Sequence, residues 1–239
     1  MVVLGIPVEA LKRICKKLSE CDPIFDRMLN NAATTMTQAF QVWMSTDLSQ
    51  LGADKLRDCT ATGFVEPFDT YADMSHLIGK ENWVNSVGSV GYFCNVLKDC
   101  ESDTQTKAND RVKQNAVTFL RDQVQHLWSG ARPKGTFDWS LLIDSSARKD
   151  DKRFESQWWI ANFQPSERYT LTPAGNVANR LQTNQTRFKN LFLAGDWIRT
   201  GLDAGCIEAA ALAGRQAARA IKGTDEQFPN ESTDWLKEF

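Results

Sequence analysis

The spacing of apolar positions divides the chain into strand-like and helix-like stretches. Short continuous apolar runs at residues 2–7 and 190–194 predict strands that are buried on both faces. Other stretches are rich in β-branched and aromatic residues, which favours extended structure. These strand candidates are residues 32–44, 61–69, 85–98, 137–143 and 155–163. Because no strong helical pattern separates the first three of them, we expect a mostly antiparallel sheet.

Helical spacing of apolar residues occurs in three places. Residues 8–20 carry apolar side chains at helical intervals, and Asp22-Pro23 is expected to end that helix. Residues 104–128 show a sparse apolar stripe, which is typical of a helix that covers a surface. The third helix follows Gly205, and Gly223 is its expected end. Its predicted buried face consists of Ile207, Ala210, Ala211, Gly214, Ala217, Ala218 and Ile221.

The turn between the last strand and the third helix is the main candidate site. Asp196 follows the strand, and a carboxylate there can accept hydrogen bonds from the hydroxyl groups of a sugar or polyol. Gly201 and Gly205 allow a ligand to approach the backbone closely. The amides expected to face negative charge at the helix N-terminus are those of Cys206, Ile207 and Glu208. The turn suits a nucleotide-like cofactor, and the alternative is an ordinary strand-turn-helix in which Asp196 caps a turn.

Two segments resemble the superfamily of flavin-containing amine oxidases, phytoene desaturases and protoporphyrinogen oxidases. Residues 190–210 are similar, in register, to its C-terminal flavin signature, in which a segment of the form NLFLAGDW precedes a glycine loop and a helix. Residues 157–169, where an aromatic strand leads to Pro-Ser-Glu-Arg-Tyr, resemble the phytoene desaturase-like members. The resemblance implies FAD as the cofactor and a small organic molecule as the substrate.

The resemblance also implies roles for individual residues. Asp196, preceded by Gly195, would bind the ribityl chain of FAD. The backbone groups expected beside the pyrophosphate or ribityl chain and the O2 edge of the flavin are those of Gly205, Cys206, Ile207 and Glu208. The residues expected near the isoalloxazine ring are Trp197, Thr200 and Leu202. In this superfamily the flavin takes a hydride from a C–H bond of the substrate, and the sequence identifies no catalytic residue.

Two tryptophans and an arginine are weaker candidates. Trp158 and Trp159 are adjacent on a predicted strand and point to opposite faces, so at most one of them faces a substrate cavity. The alternative is one core tryptophan and one interface tryptophan. Arg168 is expected to form a salt bridge with a neighbouring carboxylate, and contact with the pyrophosphate of the cofactor is the alternative.

Two departures from the family pattern bear on the reaction. Classical amine oxidases carry a tyrosine two residues before the motif glutamate, and Cys206 occupies that position here. Because a cysteine cannot form the aromatic wall that this tyrosine provides, a desaturase-like or uncharacterised oxidoreductase is favoured over simple amine oxidation. Asp203 would repel a phosphate, and we expect it to cap the third helix instead.

A further departure is the absence of the dinucleotide-binding fingerprint G-x-G-x-x-G. The nearest match, Gly88-Ser89-Val90-Gly91, lacks a third glycine and a following helix. Residues 2–7 resemble a family strand that lies far downstream of that fingerprint. We therefore expect the C-terminal half of a longer enzyme, inactive by itself. The alternative is a non-catalytic α+β binding module.

The expected fold combines α/β and α+β parts. An incomplete, Rossmann-like FAD-binding layer would carry an inserted, mostly antiparallel substrate-domain sheet covered by helices. The expected parts are a partial FAD-binding domain at residues 1–28, a substrate-binding domain at 29–168, a C-terminal FAD-binding segment at 169–223 and a polar tail at 224–239.

Composition narrows the class of protein. The chain has 239 residues, 42% of them hydrophobic, and a net charge of −2, which is typical of a soluble protein without the basic excess of nucleic-acid-binding proteins. No apolar stretch reaches the roughly 18 residues of a membrane span. We expect a cytoplasmic protein, with peripheral membrane contact and oligomeric state left open. Six cysteines without CxxC spacing favour free thiols over a metal site, and a Cys94–Cys100 disulfide is the alternative.

Overall fold

A computed structural model describes residues 1–63, 65–83, 86–100 and 103–224, so the predicted polar tail lies outside it except for Thr224. Its strands are β1 (Val2–Leu4), β2 (Ala33–Met44), β3 (Thr60–Thr62), β4 (Thr70–Asp73), β5 (Ser89–Leu97), β6 (Trp158–Ala161), β7 (Tyr169–Leu171) and β8 (Leu191–Leu193). Its α-helices are α1 (Val8–Ile14), α2 (Lys16–Cys21), α3 (Pro23–Asn31), α4 (Gln105–Asp122) and α5 (Ile207–Lys222). The chain forms two compact units, unit 1 (Met1–Thr35 and Gln164–Phe239) and unit 2 (Met36–Phe163).

Unit 1 is built on a short pair of parallel strands. β1 lies parallel to β8, with Val2 opposite Leu191 and Leu4 opposite Leu193. β7 pairs antiparallel with the first three residues of β2. Helices α1, α3 and α5 supply apolar side chains to the core. This core includes Val8, Leu11, Phe25, Met28, Leu29, Leu191, Leu193, Trp197, Ile198 and Ala213.

The first predicted helix is divided at Cys15 into α1 and α2. Asp22-Pro23 ends α2 as predicted, and it also begins α3, which the apolar spacing did not indicate. The carboxylate of Asp22 accepts hydrogen bonds from the amides of Ile24 and Phe25 at 3.0 and 3.3 Å. Asp22 is therefore the N-cap of α3, and Pro23 occupies the first helical position, where its missing N–H is not needed.

Unit 2 contains an antiparallel sheet with the strand order β3-β4-β5-β2-β6, which confirms the predicted mostly antiparallel sheet. α4 confirms the helix predicted over residues 104–128, although it ends at Asp122, and it packs against β6. The core is rich in aromatic rings. Phe40 stacks on Phe93 with 4.6 Å between the ring centroids, and Phe68 meets Phe40 edge-on at 4.7 Å. The fold of the chain is thus a mixture of helices and sheets in both units.

The strand predictions in unit 2 have mixed outcomes. Those for β2, β5 and β6 are confirmed, although β5 and β6 are shorter than residues 85–98 and 155–163. The prediction at residues 61–69 is confirmed only for Ala61 and Thr62, which belong to β3. Gly63 and Pro67 interrupt the extended run, and residues 65–69 are part of the connection to β4. Residues 64 and 85 of these predictions lie outside the described residues.

The strand predicted at residues 137–143 is also wrong. This stretch contains a 3-10 helix at Trp139–Leu141, and Leu142 alone bridges to Met44. The carboxylate of Asp138 accepts a hydrogen bond from the amide of Ser140 at 3.0 Å. Such local side-chain bonds compete with sheet pairing, and here they turn the chain.

Asp144 stabilises the next loop of unit 2 by accepting several hydrogen bonds. Its carboxylate accepts from Ser156 Oγ at 2.5 Å, from the Arg148 amide at 2.6 Å and from the Ser146 amide at 3.1 Å. Arg148 Nη1 donates to the same carboxylate at 2.8 Å. The hydrogen bond from Ser156, followed by those from the backbone and the charge of Arg148, lowers the pKa of Asp144 to about 2.

The low pKa of Asp144 predicts a loss of stability in acid. A carboxyl whose pKa is lowered by folding stabilises the native state above its ordinary value of 3.8, and this contribution disappears as the pH falls towards about 2. We expect Asp144→Asn to be less stable than wild type at neutral pH and to approach it at low pH. Urea unfolding measured as a function of pH tests this, with Asp110→Asn on the exposed face of α4 as the control. An equal difference at every pH would contradict the prediction.

Candidate functional site

The turn after β8 in unit 1 presents the predicted aspartate. The Ala194 amide donates to Leu4 O at 2.9 Å, which extends the β1–β8 pairing by one residue. Gly195 then adopts φ +145, and a side chain at this position would collide with the indole of Trp197. Only glycine allows this tight reversal. The result is that Asp196 follows the carboxyl end of a parallel strand, as the sequence predicted.

Asp196 is half-buried and lies beside β7. Its carboxylate accepts a hydrogen bond from Thr170 Oγ1 at 3.2 Å. Burial raises the pKa of Asp196, while the Thr170 hydrogen bond and the charge of Arg180 act in the opposite direction. The carboxylate accepts from Thr170 and from its own backbone amide, and its two oxygens retain acceptor capacity for ligand hydroxyl groups.

Arg180 is the residue of this site that sequence reasoning missed. Its side chain is buried, and it connects the turn to β7. Nη1 donates to the backbone oxygen of Asp196 at 2.8 Å, and Nη2 donates to Thr172 Oγ1 at 2.6 Å and to Leu171 O at 3.3 Å. Burial lowers the pKa of Arg180, and the charges of Asp203 and Asp196 oppose that shift. No sequence signal marks this arginine, because it lies in an irregular segment and two of its acceptors are backbone oxygens.

Arg168, the arginine that the sequence singled out, lies elsewhere in unit 1. Its Nε donates to Thr34 Oγ1 at 3.0 Å. Its charge also acts on Glu9. Although burial alone would raise the pKa of Glu9, hydrogen bonds and charges from Lys12, Thr34 and Arg168 lower it. Arg168 therefore acts on the carboxylate of Glu9 through its charge, and the salt bridge expected of it stays a prediction.

Asp203 closes the loop before α5 and does not cap the helix, so that prediction is wrong. Its carboxylate accepts from the amides of Thr200 at 2.9 Å and Gly201 at 3.3 Å. The N-cap of α5 is Cys206, whose Sγ accepts from the Ala209 amide at 3.5 Å. The carboxylate of Asp203 is three positions too early to reach the helix, and it satisfies loop amides instead.

Gly205 lies against β7 immediately before the helix. A Cβ at this position would overlap the backbone oxygen of Thr170 and approach Tyr169 Cε1 at 3.0 Å. The hydroxyl of Tyr169 donates to Gly205 O. The amides of Ile207 and Glu208 lie in the first turn of α5, before its first intrahelical hydrogen bond, and such amides bind anions.

Helix α5 has the predicted ends and a different buried face. It begins at Ile207 and ends at Lys222, and Gly223 follows as a left-handed cap with φ +68. Of the predicted face, Ala217 is buried, whereas Ile207 is 85% exposed. The other buried residues are Ala209, Leu212 and Ala213. Because alanine occupies so many positions of this helix, several of its faces are equally apolar in the sequence. The position of Leu212 determines which face is buried.

The structure places the remaining predicted residues in different environments. Trp197 and Thr200 are buried, with Trp197 in the core of unit 1, and Leu202 is 39% exposed. Trp158 and Trp159 lie in unit 2 on β6. Trp158 is 42% exposed, whereas Trp159 stacks on Phe154 with 5.4 Å between the centroids. The roles of all these residues in ligand binding remain predictions.

The cysteines and the possible metal ligands are the remaining candidates for chemistry among the described residues. None of the six cysteines forms a disulfide, so the Cys94–Cys100 alternative is not formed. Within the described ranges no group of three His, Cys, Asp or Glu side chains is arranged to hold a metal ion. In the same part of the chain, no helix has the length and apolar character needed to cross a bilayer.

Comparisons with known proteins agree with the resemblance inferred from the sequence. Residues 121–222 match the family model of the flavin containing amine oxidoreductases, which confirms that resemblance and implies FAD as the cofactor. The fold is similar to the crystal structure of an oxidoreductase from Methanosarcina mazei, with a TM-score of 0.56 and 11% identity. That match covers 92% of this chain and 42% of the oxidoreductase, so this chain spans less than half of its length. No curated protein matches the sequence.

Proposed function

We propose that this chain, whose residues 121–222 match the flavin-containing amine oxidoreductases, supplies the closing wall of the FAD site of an oxidoreductase. The observation that carries the proposal is the convergence of Asp196, Gly205 and the first turn of α5 beside β7 in unit 1. A carboxylate, a bare backbone and a helix N-terminus are the groups that a sugar-phosphate cofactor requires.

The residues present fit FAD. Asp196 is half-buried, and its carboxylate can accept hydrogen bonds from the ribityl hydroxyl groups. Gly205 presents backbone where a side chain would collide with β7, so the chain can stay close to both β7 and a ligand. The amides of Ile207 and Glu208 would face the pyrophosphate or the O2 edge of the flavin.

The β1–β8 pair supports a larger, Rossmann-like layer around this site. Parallel sheets are normally covered on both faces, yet Val2 is 49% exposed and Val3 is 47% exposed. The described residues do not include a G-x-G-x-x-G turn, which is the other wall of such a cofactor site. We therefore propose that these two strands are part of a more extensive FAD-binding layer.

The reaction we propose is desaturase-like oxidation of a small organic molecule in the cytoplasm. Bound flavin supplies the oxidising chemistry, because it accepts a hydride from a C–H bond. The chain's own residues bind and orient the cofactor. Cys206 caps α5 through Sγ, and it offers no aromatic surface at the position where classical amine oxidases have a tyrosine. Unit 2 is the proposed substrate-binding part.

Asp196→Asn tests the cofactor site. We expect the variant to bind FAD at least tenfold more weakly, since hydrogen bonds to a charged acceptor contribute about 1.5–3 kcal/mol. Its stability should not fall. Burial raises the native pKa of Asp196, so ionisation of this group lowers native stability as the pH rises through that pKa, and the amide removes this cost at neutral pH.

The measurement is FAD titration, together with the visible flavin spectrum, for the polypeptide encoded by the complete gene. Glu20→Gln, which changes an exposed carboxylate on α2 of the same unit, is the matched control and should bind FAD normally. Urea unfolding of both variants separates loss of cofactor from loss of fold. A colourless wild-type protein that does not take up added FAD would refute the proposal and favour the non-catalytic binding module.

A further inference from the structure

Unit 2 contains a groove lined by more cationic than acidic side chains. It has a volume of about 620 Å³ and lies between the end of α4, the segment around residues 133–140 and the segment 148–153. Its cationic lining residues are Arg121, Lys134, Arg148, Lys149 and Arg153. Two carboxylates, Asp138 and Asp150, also line it. Because the whole chain has a net charge of −2, this accumulation is local.

Arg153 is held in a fixed orientation without neutralisation of its charge. Its Nε and Nη2 donate to Leu142 O at 3.1 and 2.6 Å, and its Nη1 donates to Arg148 O at 3.4 Å. These acceptors are backbone carbonyls, which carry no net charge. Among the residues that the structure describes, no carboxylate lies within ion-pair distance of Arg153. A fixed guanidinium of this kind is suited to a phosphate or carboxylate.

The other cationic side chains of the groove differ in whether they form an ion pair with a carboxylate. Lys134 and Lys149 are exposed, and neither forms an ion pair within the described parts of the chain. Arg148 pairs with Asp144, and Arg121 pairs with its neighbour Asp122. Lys134, Lys149 and Arg153 therefore supply most of the positive field, which Asp138 and Asp150 offset in part. An anion that bound there would be neutralised by three separate side chains.

The groove also has an aromatic wall. Trp139 is half-buried and meets Phe137 edge-on with 4.8 Å between the ring centroids. The indole offers an apolar surface next to the cationic groups. The volume falls within the range of about 300–1,000 Å³ that small-molecule sites occupy. A concave surface of this size suits a compact ligand better than a flat membrane or an extended peptide.

We propose that this cationic groove binds a small organic molecule that carries a phosphate or carboxylate group on a flat apolar body. Arg153, Lys134 and Lys149 would contact the anionic group, and Trp139 would pack against the apolar body. This site lies entirely within unit 2 and does not depend on the flavin function proposed above.

The test is calorimetric titration of the full chain with 1-naphthyl phosphate, in the absence of FAD. We expect saturable binding that weakens as the ionic strength rises. Inorganic phosphate and 1-naphthol, which carry the two halves of the probe separately, should each bind more weakly than the probe. The double variant Lys134→Gln/Lys149→Gln should bind about five- to tenfold more weakly. Lys55→Gln, an exposed lysine of unit 2 outside the groove, should leave the affinity unchanged.

A second variant keeps the test decisive if the double variant is unstable. Trp139→Leu should weaken binding of 1-naphthyl phosphate while leaving the weak binding of inorganic phosphate unchanged. Equal affinities for inorganic phosphate and 1-naphthyl phosphate would overturn the role of the aromatic wall. No saturable binding, or binding that the lysine variants do not alter, would overturn the proposal. Binding of an acidic peptide or of anionic vesicles, without binding of 1-naphthyl phosphate, would also overturn the proposal.

Discussion

Replacing Gly205 by alanine is expected to lower the free energy of unfolding by about 1–3 kcal/mol, which is the usual cost of forcing extra volume into a packed site. The new Cβ would overlap Thr170 O and would lie 3.0 Å from Tyr169 Cε1. The first of these atoms belongs to the backbone of β7, so it cannot move aside as the end of a flexible side chain can. The start of α5 must then shift away from β7.

A matched substitution in the same helix should have the opposite effect. Gly214 lies inside α5, and apart from the backbone of its own helix no atom of the described residues lies within 4 Å of the position that a Cβ would occupy. Gly214→Ala is therefore expected to stabilise the protein by about 0.5–1 kcal/mol, because alanine loses less backbone entropy in a helix. Urea unfolding of both variants, with hydrogen exchange of the β7 amides, measures the contrast. A Gly205→Ala protein as stable as Gly214→Ala would show that the contact with β7 is not tight.

The parts of the site that could be predicted are those with local causes. An apolar run, a glycine and an aspartate place Asp196 at the end of β8, and Gly223 ends α5 through its own left-handed backbone. These features depend on residues within a few positions of one another. The resemblance to a flavin family rested on this segment and on residues 157–169, and the family match at residues 121–222 agrees with it.

The parts that could not be predicted depend on partners distant in sequence. Arg180 bonds to backbone oxygens of Leu171 and Asp196, and a sequence does not show which carbonyls a distant guanidinium will meet. The cationic groove could not be predicted for the same reason, because the segment 148–153 alone indicates only a solvated turn. Arg153 becomes a fixed donor only when the fold brings Leu142 O within 2.6 Å.

Two side-chain hydrogen bonds explain a wrong prediction and a missing one. The stretch at residues 137–143 has the composition of a strand, but the carboxylate of Asp138 accepts from the Ser140 amide and forms a turn. Asp22-Pro23 ended one helix as expected, while its capping aspartate and first-turn proline also begin α3. In both cases a side-chain oxygen determined the backbone path, and the apolar period carries no information about it.

Arg180→Met is expected to destabilise the protein by about 3 kcal/mol or more. The substitution preserves much of the buried volume but leaves Asp196 O, Leu171 O and Thr172 Oγ1 without their donor. A buried polar group that loses its partner costs about 1–3 kcal/mol, which applies to the two backbone oxygens, whereas Thr172 is exposed and its hydroxyl can bond to water. The stability of Arg180→Lys should lie between those of Arg180→Met and wild type, because one ammonium group cannot reproduce the two arms of the guanidinium fork. Arg199→Met, at an exposed position just beyond the same turn, is the control and should change stability little.

Arg180→Met should also change the pKa of Asp196. A substitution that removed only hydrogen bonds and packing would leave that pKa unchanged. The charge of Arg180 holds the pKa of Asp196 below the value that burial alone would give. Its removal should raise that pKa further, measured by NMR titration of the carboxyl in Arg180→Met and in Arg180→Lys. The lysine variant keeps the charge, so its Asp196 pKa should stay near that of wild type. An unchanged pKa in the methionine variant would mean that Arg180 acts only through its hydrogen bonds, and that the negative charge at the candidate cofactor site is set by burial and Thr170 alone.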